Sequence, residues 1–155
     1  MEKIDKMDLK ILSELQEDAR KSLREIAEKL GVTEATIYNR NNKMKKLRII
    51  EKFIPVINYS MLGFDLIAVI GITAEGGKIV EVENMLAKLP NVTAVYDVTG
   101  EFDVITVAKF KDRESLNKFV KDIGKLEHVV KTYTMLVLNV VKETHMLDIK
   151  KLFDV

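Results

Sequence analysis

Between Thr33 and Ile50 the chain sets five basic side chains, Arg40, Lys43, Lys45, Lys46 and Arg48, against one acid, Glu34. All 155 residues together carry a net charge of only +1, so positive charge is concentrated on this segment. Such a patch attracts phosphates without regard to base sequence and makes binding weaken as salt rises. On most proteins a charge run is only a solvated helix face, and its placement decides whether it is more. Other chemistry finds little support. His128 and His145 are the only groups suited to proton transfer near neutral pH, and neither stands in a motif with a nucleophile or metal partners. There is no cysteine, which excludes disulfides and thiolate chemistry. No catalytic residue, metal ligand or cofactor is therefore expected.

The elements that would position the charge lie in Ser22–Leu47, SLREIAEKLGVTEATIYNRNNKMKKL. Ser22 with Glu25 three residues on forms a capping box, and Leu23, Ile26, Ala27 and Leu30 repeat at helical spacing. Gly31 suits a left-handed helix end, and Thr33 caps a second helix with Glu34 in its first turn. Two short helices joined by a tight turn, the second one basic, form a helix-turn-helix that offers its second helix to the DNA major groove. Ile4, Met7, Leu9, Ile11, Leu12 and Leu15 supply a bracing helix before it.

The pattern then changes. Pro55 excludes a helix interior, and Phe53–Asn58 reads as a short strand serving as a linker. After Leu62 and Gly63 the apolar periods predict a strand at Leu66–Ala74, a helix at Ile79–Leu89, and strands at Val92–Thr99 and Val104–Phe110. A helix at Leu116–Leu126 and a last strand at Val129–Val141 follow. This βαββαβ order is ferredoxin-like, an antiparallel sheet with both helices on one face. The fold class is thus α+β: a helix-turn-helix domain at 1–50, a strand linker at 51–63, a ferredoxin-like domain at 64–143, and a tail at 144–155. The strands are apolar at nearly every position, whereas a half-exposed sheet should alternate. The second face is therefore expected to be covered by another copy of the chain. No apolar run approaches the ~20 residues that span a bilayer, and no signal-peptide core is visible, which points to a soluble, cytoplasmic protein without a membrane partner.

In this order, IDKMDLKILSELQEDAR, SLREIAEKLGVTEATIYNR, a linker ending in LG and TGEFD between the middle strands resemble the Lrp/AsnC family, the feast/famine transcriptional regulators. The resemblance spans residues 2–143. It implies a domain that dimerises through its sheets, higher assembly into tetramers, octamers or discs, and a small effector, commonly an amino acid, bound between dimers. It places contacts to double-stranded DNA on the helix opening at Thr33, with Ile37 and Met44 turned to the core. Thr33, Glu34, Ala35, Tyr38, Asn39, Asn42 and Lys43 would project outward, with Thr36 and Arg40 intermediate. Asn39 suits a bidentate bond to adenine, and Arg40 and Lys43 suit phosphates.

For the effector, the resemblance implies a pocket lined by Thr99, Gly100, Glu101, Phe102 and Asp103, with Thr134 contributed from the last strand. Asp103 could neutralise an ammonium group, while amides around Gly100 and the Thr134 hydroxyl could receive a carboxylate. The same glycine and aspartate also suit a plain hairpin turn. Two residues depart from the family pattern. Asn41 stands where an aliphatic residue is usual, and as a buried amide it should find a partner or sit at an edge. Arg48 stands where glycine usually ends the helix, so the helix should run on or cap differently. The competing reading is an architectural DNA-binding protein with the same fold, little sequence preference and no effector.

Overall fold

A computed structural model describes residues 4–155, leaving the first three residues of the expected DNA-binding domain outside it. The chain divides into two compact units, one running up to Val56 and taking in Lys142–Val155, the other spanning Ile57–Val141.

The first unit holds α1 (Lys6–Glu17), α2 (Leu23–Leu30), α3 (Glu34–Lys46) and a terminal α6 (Ile149–Phe153), the last in contact with α1. Ser22 and Glu25 form the expected capping box, and Gly31 closes α2 at φ 68° with Val32 N–H donating to the Ala27 carbonyl. A Cβ on Gly31 would meet nothing within 4 Å, so glycine is needed there for its backbone angle and not for close packing. Thr33 Oγ1 accepts from the Thr36 amide and caps α3. Ile11, Ile26, Ala27, Ile37 and Met44 make the core.

The end of α3 departs from expectation. The helix does not run on: Arg48 itself takes φ 57°, its N–H donating to the Lys45 carbonyl and that of Ile49 to the Met44 carbonyl. This is the paired-bond helix stop that glycine usually makes. Packing of the α3 stripe fixes the chain exit, and the arginine accepts the cost. The segment Phe53–Asn58, expected as a strand, is not one in this structure. A strand needs a neighbour for its backbone groups, and among the described residues none pairs with it. Phe53, Ile54, Val56 and Ile57 are exposed there.

The second unit is a four-stranded antiparallel sheet built from β1 (Leu66–Ala74), β2 (Val92–Asp97), β3 (Val104–Phe110) and β4 (Val129–Leu136), in the order β2-β3-β1-β4. The helices α4 (Ile79–Leu86) and α5 (Arg113–Ile123) bury Val82, Leu86 and Ile123 against Ala68, Ile70, Ile72, Val104, Ala108 and Phe110. The element order is the expected one, with shifted ends. In α4 the last turn tightens to i→i+3 bonds ahead of Pro90. Asp112 starts α5 early by accepting from the Ser115 amide. Beyond Leu136 only the Val137 N–H still reaches β1, at the Ile67 carbonyl, and Leu138 and Val141 are exposed rather than paired.

A left-handed non-glycine residue costs about 1–2 kcal/mol, part of which glycine recovers. Arg48→Gly should therefore raise the stability of the helical unit by up to about 1 kcal/mol, read as a higher Tm in circular dichroism.

Candidate functional site

Two places carry the expected site residues, the outer face of α3 and the β2–β3 connection. On α3, Ile37, Asn41 and Met44 are buried, Thr33, Glu34, Ala35, Tyr38 and Asn39 are exposed, and Thr36, Arg40, Asn42 and Lys43 lie between. Thr33 and Thr36 share a hydroxyl–hydroxyl bond of 2.9 Å. Asn41, expected to find a partner or sit at an edge, is 8% exposed, and its Oδ1 has no hydrogen bond among the described residues. An orphaned buried oxygen costs about 1–3 kcal/mol.

The basic residues are not simply presented to solvent. Asp8, on the first turn of α1, is fully buried, and its Oδ1 accepts from Arg40 Nη1 at 2.8 Å while its Oδ2 accepts from Lys43 Nζ at 2.9 Å. Asp5, the N-cap of α1, accepts from the same Arg40 nitrogen at 2.8 Å through each carboxylate oxygen. Two aspartates therefore neutralise two of the cations assigned to DNA, around a shallow depression lined by Asp5, Thr36, Asn39, Arg40 and Lys43. Lys45 is engaged differently, lying 5.4 Å from the centre of the Phe53 ring. A second buried carboxylate, Glu14, holds Lys21 at 2.9 Å and Lys29 at 2.6 Å.

The Arg40 hydrogen bond holds the Asp5 carboxyl below its ordinary range. For Asp8 and Glu14 burial opposes ionisation most strongly, but their lysine and arginine partners outweigh it and both pKa values end lowered. The two aspartates were missed in the sequence. The signal was available: Asp5 and Asp8 stand three apart at a helix start, the spacing of a capping box, and they form one.

In the sheet unit, Phe102 folds back so that its ring lies over Gly71 of β1 and stacks on Tyr133 of β4, with ring centres 5.9 Å apart. A Cβ on Gly71 would stand 2.7 Å from that ring. Asp103 is used by the backbone, its Oδ2 accepting from the Ala74 N–H at 2.8 Å and its own N–H donating to the Ile72 carbonyl. Thr99, Gly100 and Glu101 are exposed at the tip, with Gly100 at φ 122°. Thr134 does not join this cluster. It pairs with Ile70, whereas its neighbour Tyr133 pairs with Gly71, so alternation puts Thr134 on the opposite face of the sheet from Phe102. Gly71 and Tyr133 are the additions to the expected set. A glycine inside an apolar strand is the mark of such a close approach.

Among the described residues no group of three or more His, Cys, Asp or Glu could hold a metal ion, and no helix is long and apolar enough to cross a membrane.

Comparison with known proteins matches both units. The model of the AsnC-type helix-turn-helix domain covers residues 4–45, and that of the Lrp/AsnC ligand binding domain covers residues 67–147. An uncharacterized HTH-type transcriptional regulator of Pyrococcus furiosus is 50% identical over 145 residues, 94% of this chain and 98% of the relative. Among solved structures, E. coli AsnC superposes with a TM-score of 0.86 at 28% identity, over 92% of this chain and 98% of that one. A transcriptional regulator of Neisseria meningitidis in complex with L-Met gives 0.85 at 26% identity, over 97% and 99%.

The lowered carboxylates set an acid limit. A group whose pKa is depressed by folding stabilises above its ordinary pKa, and that contribution drains as pH falls through the folded value. The helical unit should lose stability from about pH 4.5 downward, starting at the ordinary glutamate value. Asp8→Asn should cost about 2–3 kcal/mol at pH 7 and flatten the acid slope, both read from denaturant melts at several pH values. In the sheet unit, Gly71→Ala should unseat Phe102, changing the tyrosine near-ultraviolet dichroism and costing about 1–3 kcal/mol. Unchanged spectra and stability would show that the ring is not held on Gly71.

Proposed function

The chain belongs to the Lrp/AsnC family of transcriptional regulators, and from that premise we propose that it reads DNA sequence through the outer face of α3 and is modulated by an amino acid bound at its sheet unit. A regulator with a helix-turn-helix and a ligand-binding domain is the family's common ground; the residues and the ligand class are our reading.

The observation that carries it is the division of α3. Its buried stripe fixes the helix to the core, while Thr33, Glu34, Ala35, Tyr38 and Asn39 face outward near its N-terminus, where a recognition helix meets base edges. Asn39 is the candidate base reader, with Thr36 and Asn42 beside it, and Arg40 and Lys43 take phosphates from a preset position. The ion pairs count against an architectural role, which would profit from every cation left open to the duplex.

For the ligand, the neighbour solved with L-Met supports an amino acid. The tip residues Thr99, Gly100 and Glu101, with Phe102 and Asp103 behind them, offer amides and one aromatic surface. Thr134 of the same chain lies on the other face, so the other five residues make the candidate site without it. A second copy answers the open face of the sheet, where Ile67, Val69, Ile105 and Val107 run between Tyr96 and the pair Tyr133 and Met135. Tyr96 and Tyr133 are more than half exposed there. We read this face as the dimer interface, which also suits paired helix-turn-helix heads on two half-sites.

The test is binding to the protein's own promoter region and to random DNA at two salt concentrations, with each of the twenty amino acids. Promoter binding that one amino acid strengthens or weakens is the expected result. Equal, strongly salt-dependent binding to all DNA, indifferent to every amino acid, would replace this reading with the architectural one. In the same assay Asn39→Ala should weaken promoter binding by about 1–3 kcal/mol and leave random-DNA binding nearly unchanged. Equal loss on both would remove Asn39 from the base-reading set.

A further inference from the structure

We propose that Asp5 is an intramolecular counter-ion for Arg40, a stand-in for phosphate that DNA must displace, and that it thereby restrains sequence-independent binding. The proposal rests on the reading that the outer face of α3 meets DNA.

The two aspartates around Arg40 differ in the way this role requires. Asp8 is completely buried and held from several sides, by Arg40, by Lys43 and by the Asp5 amide at 3.2 Å. It cannot leave without stranding a charge in the core. The Asp5 side chain is 52% exposed, and it sets both carboxylate oxygens against Arg40 Nη1 at 2.8 Å. It stands at the rim of the depression that Thr36 and Asn39 also line. Asp8 is thus a fixed anchor and Asp5 an exchangeable one.

The consequence lies in the ion balance. A cation that neutralises a phosphate normally releases about one condensed counterion from the duplex. When that cation must first give up a carboxylate, the freed carboxylate gathers a cation from solution and cancels the release. Arg40 then adds little to non-specific affinity or to its salt dependence. It would still contribute at a cognate site, where contacts from neighbouring α3 side chains hold the phosphate in place long enough to compete with Asp5.

The experiment compares the full chain with Asp5→Asn and Asp5→Glu on a random-sequence duplex across a range of salt concentrations. Asparagine keeps the helix cap, since its side-chain oxygen still accepts from the Asp8 amide, and removes only the charge. Circular dichroism confirms that each variant is folded. We expect Asp5→Asn to bind random duplex roughly two- to fivefold more tightly at low salt. The slope of log affinity against log salt should steepen by about one. Asp5→Glu should stay near the parent. The ratio of promoter to random-DNA affinity should fall in Asp5→Asn. A folded Asp5→Asn with the parent's affinity and slope, or with weaker binding, overturns the proposal while the DNA-binding reading stands. If the parent chain binds no duplex at any salt, the DNA-binding reading fails and this proposal with it.

Discussion

The helical unit depends on one buried carboxylate. Asp8 sits in the first turn of α1 with no exposed surface, where an unpaired charge would not be tolerated, so the fold must bring cations to it. Arg40 and Lys43, one turn apart on α3, do so. The demand fixes the rotation of α3 about its axis more strictly than apolar packing would, because a hydrogen bond tolerates less displacement than a methyl contact. The outward direction of Asn39, which directly precedes Arg40, follows from that rotation. Glu14 repeats the device at the other end of α1, drawing in Lys29 from α2 and Lys21 from the connecting loop. The three helices are thus tied by two acidic pins through α1 as well as by their apolar core.

The sheet unit is organised by the contrast between its faces. One is sealed by α4 and α5 over a continuous apolar core. The other keeps Phe102 pinned between the bare backbone of Gly71 and the Tyr133 ring, at the end of the sheet where Asp103 ties the loop to Ala74. The candidate ligand loop is therefore rigid at its base and open at its tip. A loop so built can change what it touches without moving the strands beneath it.

Much of this was legible in the sequence, for identifiable reasons. Capping residues act locally, so Ser22, Glu25, Gly31 and Thr33 announced both helix boundaries before any tertiary contact was known. Apolar periods gave the order of the sheet unit. Strand and helix ends were less legible because they depend on partners: β4 stops near the start of β1, and the linker needs a neighbouring strand that the described residues do not supply. Arg48 shows the limit of local preference, since packing of the preceding helix imposed a left-handed turn on a residue that disfavours it. The charge on α3 was visible, but its neutralisation was not, because Asp8 lies 32 residues from Arg40 and reads by itself as a surface helix-start residue. Thr134 was assigned by resemblance alone; counting alternate positions from Tyr133 separates it from Phe102 only once the register is known.

The chain enters and leaves the sheet unit once each, and the described segments on both sides of it belong to the helical unit. That topology has a consequence for biosynthesis. The sheet unit is contiguous, so all its strands are available before Lys142–Val155 is made. The three-helix core needs only the first fifty residues and can close early, but α6 joins α1 across almost the whole length of the chain. A contact of such sequence separation forms late, after the intervening unit has shortened the distance between its ends. The helical unit is thus first begun and last completed, and a nascent chain carries an unfinished α1 surface until α6 has been made.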